Sequence, residues 1–423
     1  MASYTTEDIR NIALVGQGGA GKTTLVEALL QHAGVIGAMG SVEKGSTVCD
    51  FDPLEKTHQH SLESAIVSMD YHGGHINLID TPGYPDFIGR ALAVLTAVET
   101  CAIVVNAQAG IDIITRTMME TAKERGLDRL IIINKIDAED IDLPGLLDRI
   151  RETFGSECLP INLPADNGKK VVDCFFKPGG TATDFSSIEE AHTQIIDQVV
   201  ELDDKLMEIY LEQGEEISPE QLHDPFEQAL REDHLVPVCF TSAVSGAGID
   251  GLLEIFARLM PNPTEGNPPQ FFEGEGKAAK PVTITPDPKA HALAHVFKVS
   301  IDPFAGKLGV FRVHQGRIRR DSQLFIGDAR KFFKVGHLLK LQGKEHIEID
   351  KGIPGDICAV AKVDEIFFEA VLHDSHDEDH MHIHSIALPE PMAGLAIEVK
   401  SRGDEQKIAD ALHKLTAEDP SFV

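Results

Sequence analysis

Gly16, Gly21, Lys22 and Thr23 satisfy the spacing G-x-x-x-x-G-K-[ST] within the stretch LVGQGGAGKTT, Leu14 to Thr24. Glycine-rich backbone at that spacing can set successive N–H groups against phosphate oxygens. Lysine neutralises β/γ charge, and the threonine hydroxyl can ligate Mg²⁺. The expected phosphate cradle is Gly16, Gln17, Gly18, Gly19, Ala20, Gly21, Lys22, Thr23 and Thr24. Downstream, Asp80-Thr81-Pro82-Gly83 offers a carboxylate that can reach Mg²⁺ through water and a Gly83 N–H that can face a γ-phosphate. Asn134-Lys135-Ile136-Asp137 has the makings of a base reader. The Asp137 carboxylate can accept from the ring N–H and the exocyclic amine of guanine, a pair that adenine does not present, while Asn134 and Lys135 brace the loop and cover the base. Ser242 and Ala243 follow a further apolar run, and their backbone is expected to donate to the guanine carbonyl oxygen. The set points to GTP and Mg²⁺, and disfavours a plain ATPase.

These residues need strand ends to hold them. Ile9 to Val15 reads as a buried strand, and Lys22 to His32 as a helix with Leu25, Val26, Leu29 and Leu30 at helical spacing, so the loop opens onto an anion-favouring helix N-terminus. Ala65 to Tyr71 and His75 to Ile79 predict a hairpin around Gly73-Gly74 that delivers Asp80. Ala102 to Asn106, before a helix from about Ile113, then Arg129 to Ile133 and Val236 to Phe240, predict further strands. In an open α/β sheet ligands sit beyond the carboxyl ends of the strands, where every motif falls. Gly34 to Gln59, polar and glycine-punctuated, predicts a mobile loop.

Composition narrows the class. With 423 residues, 42% of them hydrophobic, the chain can bury more than one core. Its six cysteines show no C-x-x-C spacing, which argues against a disulfide framework or a structural zinc site. The N-terminus lacks an apolar signal region and no run has membrane-spanning length, so a soluble cytoplasmic monomer without a membrane partner is expected. A formal charge of −30 opposes non-specific adhesion to nucleic acid; Arg317 to Arg320 is a short basic exception.

In their order GQGGAGKT, DTPG, NKID, TSA, and in the wide gap between Asp137 and Ser242, the motifs resemble the translational GTPases, elongation factor G above all. The resemblance runs from the P-loop to the closing EDPSF and implies an α/β P-loop GTPase domain over 1–262 with an inserted α+β subdomain at about 158–235. It further implies a proline-rich linker over 263–288, a β-barrel over 289–388, and the first β-α unit of a third α+β domain over 389–423. Within the insertion, Cys158 to Leu163 and Val171 to Phe176 predict a strand pair. Ser187 to about Gly214 predicts a long acidic helical segment, read either as a solvated surface or as a partner-docking face. The implied reaction is GTP to GDP and phosphate, with the ribosome, its RNA and its proteins, as partner in translation elongation.

The sequence departs from that family at three places that bear on hydrolysis. Gly19 stands where the family P-loop has an aspartate. His58-Gln59-His60-Ser61-Leu62 stands for an RGITI-like run, so Ser61 would inherit the Mg²⁺-binding hydroxyl and His58 replaces an arginine. Metal contacts are therefore expected from Thr23, Ser61 and, through water, Asp80. Tyr84 occupies the position of the family's water-orienting histidine. A phenol, with a pKa of about 10, cannot copy an imidazolium. Among the catalytic positions Tyr84, Lys22 and Gly83, the first predicts slow hydrolysis by a divergent paralogue. Two alternatives stay open: a non-hydrolysing GTP-dependent binding protein, and a ribosomal-protection factor of the tetracycline-resistance type.

Pro261 to Pro288 predicts a stiffened connector. Beyond it Leu293 to Ser300, Leu308 to His314, Gln323 to Ile326, Phe333 to Lys340 and Ile357 to Lys362 predict barrel strands. By resemblance this barrel docks on the small ribosomal subunit; Lys307, Arg312, Arg317, Arg319 and Arg320 are equally consistent with strand-edge charge. His380, His382 and His384 alternate as they would on one strand face, yet the tract His373 to His384 reads as a solvated loop. From Gly394 a strand bearing Ile397 and Val399 and a helix bearing Ile408, Leu412 and Leu415 are expected. A lone β-α unit cannot bury its apolar faces, so the chain reads as a piece of a longer protein.

Overall fold

A computed structural model describes residues 4–180, 182–203, 206–208, 210, 219–267, 269–274, 276–302, 305–390, 394–399 and 403–422. Two compact units emerge: residues 1–85 with 98–267, and residues 86–97 with 268–423.

The first unit is built on a seven-stranded sheet of order β2-β3-β1-β4-β5-β9-β6. Its strands are β1 (Ile9–Val15), β2 (Ala65–Tyr71), β3 (Gly74–Asp80), β4 (Thr100–Asn106), β5 (Asp128–Asn134), β6 (Cys158–Pro160) and β9 (Val236–Thr241). All pair in parallel except β2, which returns antiparallel on β3 through the Gly73 turn. The β1, β4, β5 and β9 runs are almost entirely buried, as apolar strands covered on both faces must be. Helices α1 (Lys22–His32), α4 (Ile113–Glu124), α5 (Leu143–Phe154) and α8 (Ile249–Arg258) carry the connections. α4 starts where the sequence expects it because Asp112 accepts from the Thr115 N–H as an N-cap.

The insertion differs from its reading. Cys158 to Leu163 is two strands: β6 joins the main sheet beside β9, while β7 (Asn162–Ala165) pairs with β8 (Lys170–Asp173). The Asn162 side chain marks the change, bonding to both the N–H and the C=O of Phe240. α6 (Ile188–Val200), capped by Ser187, and α7 (Pro219–Arg231) bury Ile195, Ile196, Val199, Leu222 and Phe226 in the unit's core. That apolar face is spent inside the unit. The remainder of the acidic segment to Gly214 lies largely outside the described residues.

Residues 34–59, read as a loop, contain a short helix, α2 (Pro53–His58). Asp52 accepts from the Leu54 N–H, Glu55 reaches back to the Asp52 N–H, and Pro53 occupies the first turn, so a capping box forms the helix without long periodicity.

The second unit carries an eight-stranded antiparallel, barrel-like sheet of order β16-β15-β21-β12-β13-β20-β17-β18. Its long central pair is β12 (Leu293–Asp302) and β13 (Gly306–Gln315), flanked by β20 (Ile357–Ala361) and β21 (Val371–His373). β15 (Gln323–Ile326), β16 (Phe333–Lys334), β17 (Leu338–Gln342) and β18 (Glu345–Glu348) complete it, and β14 (Ile318–Arg319) pairs with β19 (Lys351–Gly352). The Phe333 to Lys340 run is broken into β16 and β17. The proline-rich stretch is more than a connector: β10 (Phe271–Glu273) and β11 (Lys280–Val282) form a three-stranded sheet with β22 (Met381–Ile383). That pairing also corrects the reading of the histidine tract as a loop, since Met381 and Ile383 point into a small core with Phe271 and Leu293.

α3 (Ile88–Val94) belongs to this second unit. α9 (Glu405–Glu418) forms as expected, but 394–399 is not a strand: among the described residues no segment offers it a ladder partner, and Leu395 stands 94% exposed.

Candidate functional site

Gly21 closes the P-loop in a left-handed conformation, φ 88°, as the N-cap of α1. A side chain there would be strained, and its Cβ would fall 2.7 Å from Asn134 Nδ2. Lys22, in the first turn, is buried and donates from Nζ to Gly16 O at 2.7 Å and Gln17 O at 2.9 Å. Burial lowers its pKa to about 8, with the charges of Asp80, Asp112 and Asp50 holding it up against that pull.

At the carboxyl end of β3, Asp80 Oδ2 accepts from Thr23 Oγ1 at 2.7 Å, and Ser61 Oγ lies 3.2 Å from the same hydroxyl. Three residues distant in sequence thus meet. Burial and the neighbouring Asp50 charge push Asp80 up to about 7. Its Oδ1, and both oxygens of Asp50, are buried without a hydrogen-bond partner. Burial also raises Asp50, with Ser61 and His60 drawing it partly back. Unpartnered buried carboxylate oxygens are costly, and hard oxygen donors gathered beside two hydroxyls fit a small divalent cation such as Mg²⁺.

Two glutamates that sequence reasoning missed organise the covering segment. Glu27 accepts from the Gly40 and Val48 N–H groups, each at 2.6 Å. Glu55 accepts from Leu62 and Glu63 N–H at 3.0 and 3.1 Å. Glu27 lies four residues after Thr23 on α1, hence on the same helix face, a spacing that was there to be read. Asp50 carries no comparable signal; only tertiary closure brings it beside Asp80.

The opposite end of the pocket is built from loops after β5 and β9. Asn134 donates from Nδ2 to Ala20 O at 2.9 Å and accepts from the Ala243 N–H at 3.1 Å, so it ties the NKID turn to both the P-loop and the Ser242-Ala243 turn. Lys135 adopts φ 67°, the bend that turns the loop over the pocket. The N–H groups of Ser242 and Ala243, expected to address the base, donate instead to Ala247 O and to Asn134. Those two residues form pocket wall.

The resulting pocket, about 490 Å³, is lined by Gly18, Gly19, Gly21, Lys22, Thr23 and Thr24, by Ser61, Gly83 and Tyr84, and by Asn134, Lys135, Asp137, Ser242 and Ala243. Asp50, His60 and Gln59 complete the lining beside Ser61. Gly16, Gln17, Ala20 and Asp80 stand behind the lining. Tyr84 is 44% exposed, and its ring covers Gly18 so closely that a Cβ there would lie 3.1 Å from it.

The family model described as Elongation factor Tu GTP binding domain matches residues 7–262, Elongation factor G domain 2 matches 291–370, and Elongation Factor G, domain III matches 388–423. Curated relatives described as Elongation factor G-like protein, from two strains of Mycobacterium tuberculosis, are 33% identical over 442 aligned positions, covering 98% of this chain and 61% of each relative. A crystal structure of a Thermus thermophilus protein superposes with a TM-score of 0.82 at 31% identity, over 98% of this chain and 61% of that one. The chain therefore spans about six-tenths of the length of the relatives it matches. By these matches and by the placement of its motifs, the chain belongs to the elongation factor G family of translational GTPases.

Proposed function

We propose that the chain binds GTP with Mg²⁺ and hydrolyses it to GDP and phosphate, slowly, in connection with the ribosome. The observation that carries this reading is the meeting of Thr23, Ser61 and Asp80 within 3.2 Å at one end of a pocket whose other end holds Asn134, Lys135 and Asp137. Guanine is read by the Asp137 carboxylate. Lys22, the Gly83 N–H and the N-terminus of α1 face the β/γ-phosphates and stabilise the charge that develops as water attacks phosphorus and the bond to the β-phosphate oxygen breaks. Thr23, Ser61 and, through water, Asp80 would hold Mg²⁺, which when bound neutralises β/γ oxygens.

Tyr84 sits at the attacking side with a phenol in place of an imidazole, so the water lacks a strong orienting base. Loss of phosphate releases Ser61 and with it the 34–61 segment, an order-to-disorder change that alters ribosome affinity. The barrel, with Arg317, Arg319 and Arg320, is the proposed ribosomal contact. The test is GTP turnover by this chain and by Tyr84→His, each alone and with ribosomes. Turnover that ribosomes stimulate and Tyr84→His raises supports the reading. Tight GTP binding with no turnover under any condition replaces it with a GTP-dependent binding protein, the reading that the Tyr84 ring over Gly18 favours second.

A further inference from the structure

The segment 86–97 follows the Gly83-Tyr84 turn in sequence and packs in the second unit. Its attachments are specific. Arg90 pairs with Asp419 at 3.3 Å, Gly89 lies against Leu388, Pro389 and Ser421, and Arg312 Nη1 donates to Ala97 O at 3.2 Å. Thr96 completes them: its Oγ1 lies 3.0 Å from His295 Nε2, and His295 Nδ1 lies 2.6 Å from His314 Nε2. All three side chains are buried, His295 entirely.

The hydrogens on this chain can be assigned. Thr96 has one hydroxyl hydrogen, and it goes to Ala93 O at 2.9 Å, which can only accept. Thr96 therefore accepts from His295 Nε2–H. A neutral His295 then has a bare Nδ1, which accepts from His314 Nε2–H. While His314 keeps its Nε2–H, a proton added at His295 Nδ1 sets two N–H groups face to face across 2.6 Å; the contact is kept only if His314 moves its hydrogen to Nδ1, which leaves the buried pair carrying the charge. A proton added to His314 enters at Nδ1 and leaves the chain of bonds intact.

We propose that Thr96, His295 and His314 form a proton-sensitive latch, which holds the 86–97 segment on the barrel while His295 is neutral and releases it when His295 is protonated. The surroundings oppose protonation. His295 is faced by Arg312 from β13, by the Thr96 hydroxyl from the segment, by Val371 across from β21 and by the Phe297 ring of its own strand, and Phe271 of β10 stacks edge-on to His314. Arg90, the cation of α3, is engaged with Asp419. Among the described residues no carboxylate acts on either imidazole; burial first, then the Arg312 charge, lowers His295 to about 3, and burial first, then His295 and Arg312, holds His314 well below its ordinary value. An opened imidazole titrates at about 6.5, so acid favours the open state.

Amide hydrogen exchange of the 88–97 peptide, corrected for intrinsic rates, tests this without nucleotide and so stands or falls apart from the proposed GTPase reading. Between pH 7.5 and 5.5 the opening equilibrium should rise about tenfold if one imidazole becomes exposed and about a hundredfold if both do. His295→Gln can still donate to Thr96 but takes up no proton, and should remove at least a tenfold share of that rise; His314→Gln should leave the His295 share. Imidazole ¹⁵N shifts of the unaltered chain give a measurement that needs no variant, with both rings expected as Nε2–H tautomers at neutral pH. A pH ratio unchanged in His295→Gln, an Nδ1–H tautomer on His295, or acid-induced exchange that rises equally in β12 and β13 would overturn the latch.

Discussion

The Tyr84 ring leans on that of His60, with centroids 4.5 Å apart and planes inclined by 48°. Gly83 and its neighbours thereby touch the covering segment beside Ser61, and an aromatic contact of this kind contributes about 0.5–1.5 kcal/mol beyond area burial. Tyr84→Phe keeps the ring and removes the hydroxyl; it should leave nucleotide affinity within about twofold, whereas Tyr84→Ala should weaken GTP more than GDP by up to about tenfold. Fluorescent-nucleotide titrations measure both. Equal losses for GTP and GDP in Tyr84→Ala would show that the ring does not support the GTP-specific closure.

Gly83 leaves no room for a side chain. A Cβ would fall on Lys22 Nζ and 2.6 Å from Gly16 O, so Gly83→Ala must push the ammonium from its place or displace the turn. Charge-assisted hydrogen bonds are worth about 1.5–3 kcal/mol, which predicts a loss of GDP affinity of roughly tenfold to a hundredfold at nearly unchanged melting temperature. An unaltered Kd would mean that the turn yields instead of the lysine.

Glu27 is the tie that holds the covering segment to α1. Glu27→Ala leaves the Gly40 and Val48 N–H groups without their acceptor, at about 1–3 kcal/mol for each that stays buried. Exchange at those two amides should quicken by at least about tenfold while amides of β1 and β4 keep their protection. Glu27→Gln, which retains one acceptor oxygen, should protect one amide and not both.

The strands that carry the motifs were legible because each closes on apolar residues that run into a motif residue: Ile12 to Val15 before Gly16, Leu78 and Ile79 before Asp80, Leu130 to Ile133 before Asn134. A P-loop and an NKID turn declare themselves by spacing along one short loop. α2 did not, since six residues give less than two turns and no period, although its Asp52-Pro53-x-Glu55 box stood in the sequence. β11 was hidden by Pro281, which an edge strand tolerates, and β10, three residues long, gave too short a run to show a period. Asp50 acts on Asp80 across the fold, and the packing of 86–97 with the barrel depends on His295 and Arg312, about two hundred residues distant. Such partnerships have no local pattern to read.

Glu55 sets a pH dependence of the covering segment. Burial pushes its carboxyl up to about 7 despite the N–H groups of Leu62 and Asp52, so the folded state holds a proton that the unfolded chain, near 4.5, has already lost. Its contribution to the hold on 52–63 is therefore greatest below 4.5 and is lost as pH rises through about 7. Exchange at the Leu62 and Glu63 amides should quicken over that window, and Glu55→Gln should flatten the profile. A slope that survives Glu55→Gln would assign the titration to another group.

Asp50 and Asp80 are two buried carboxylates; burial raises both, the Asp50 charge raises Asp80 further, and each has an oxygen with no donor to meet it. Without a cation the pair destabilises its surroundings; a divalent cation bound there would offset their charge. Asp50→Asn should therefore stabilise the nucleotide-free chain, because it removes the repulsion and lets Asp80 fall back toward the usual carboxylate range. It should also shrink the gain in melting temperature from Mg²⁺ with GDP. Chelating the metal should then cost the variant less than it costs the unaltered chain. Metal binding requires Asp80 ionised, so the Mg²⁺ effect in the unaltered chain should fade as pH drops below about 7, and in Asp50→Asn it should persist to lower pH. Thermal melts with Mg²⁺ or EDTA at pH 6 and 8 distinguish these outcomes, and an identical metal effect in both proteins at both values would place Asp50 outside the influence of the ion.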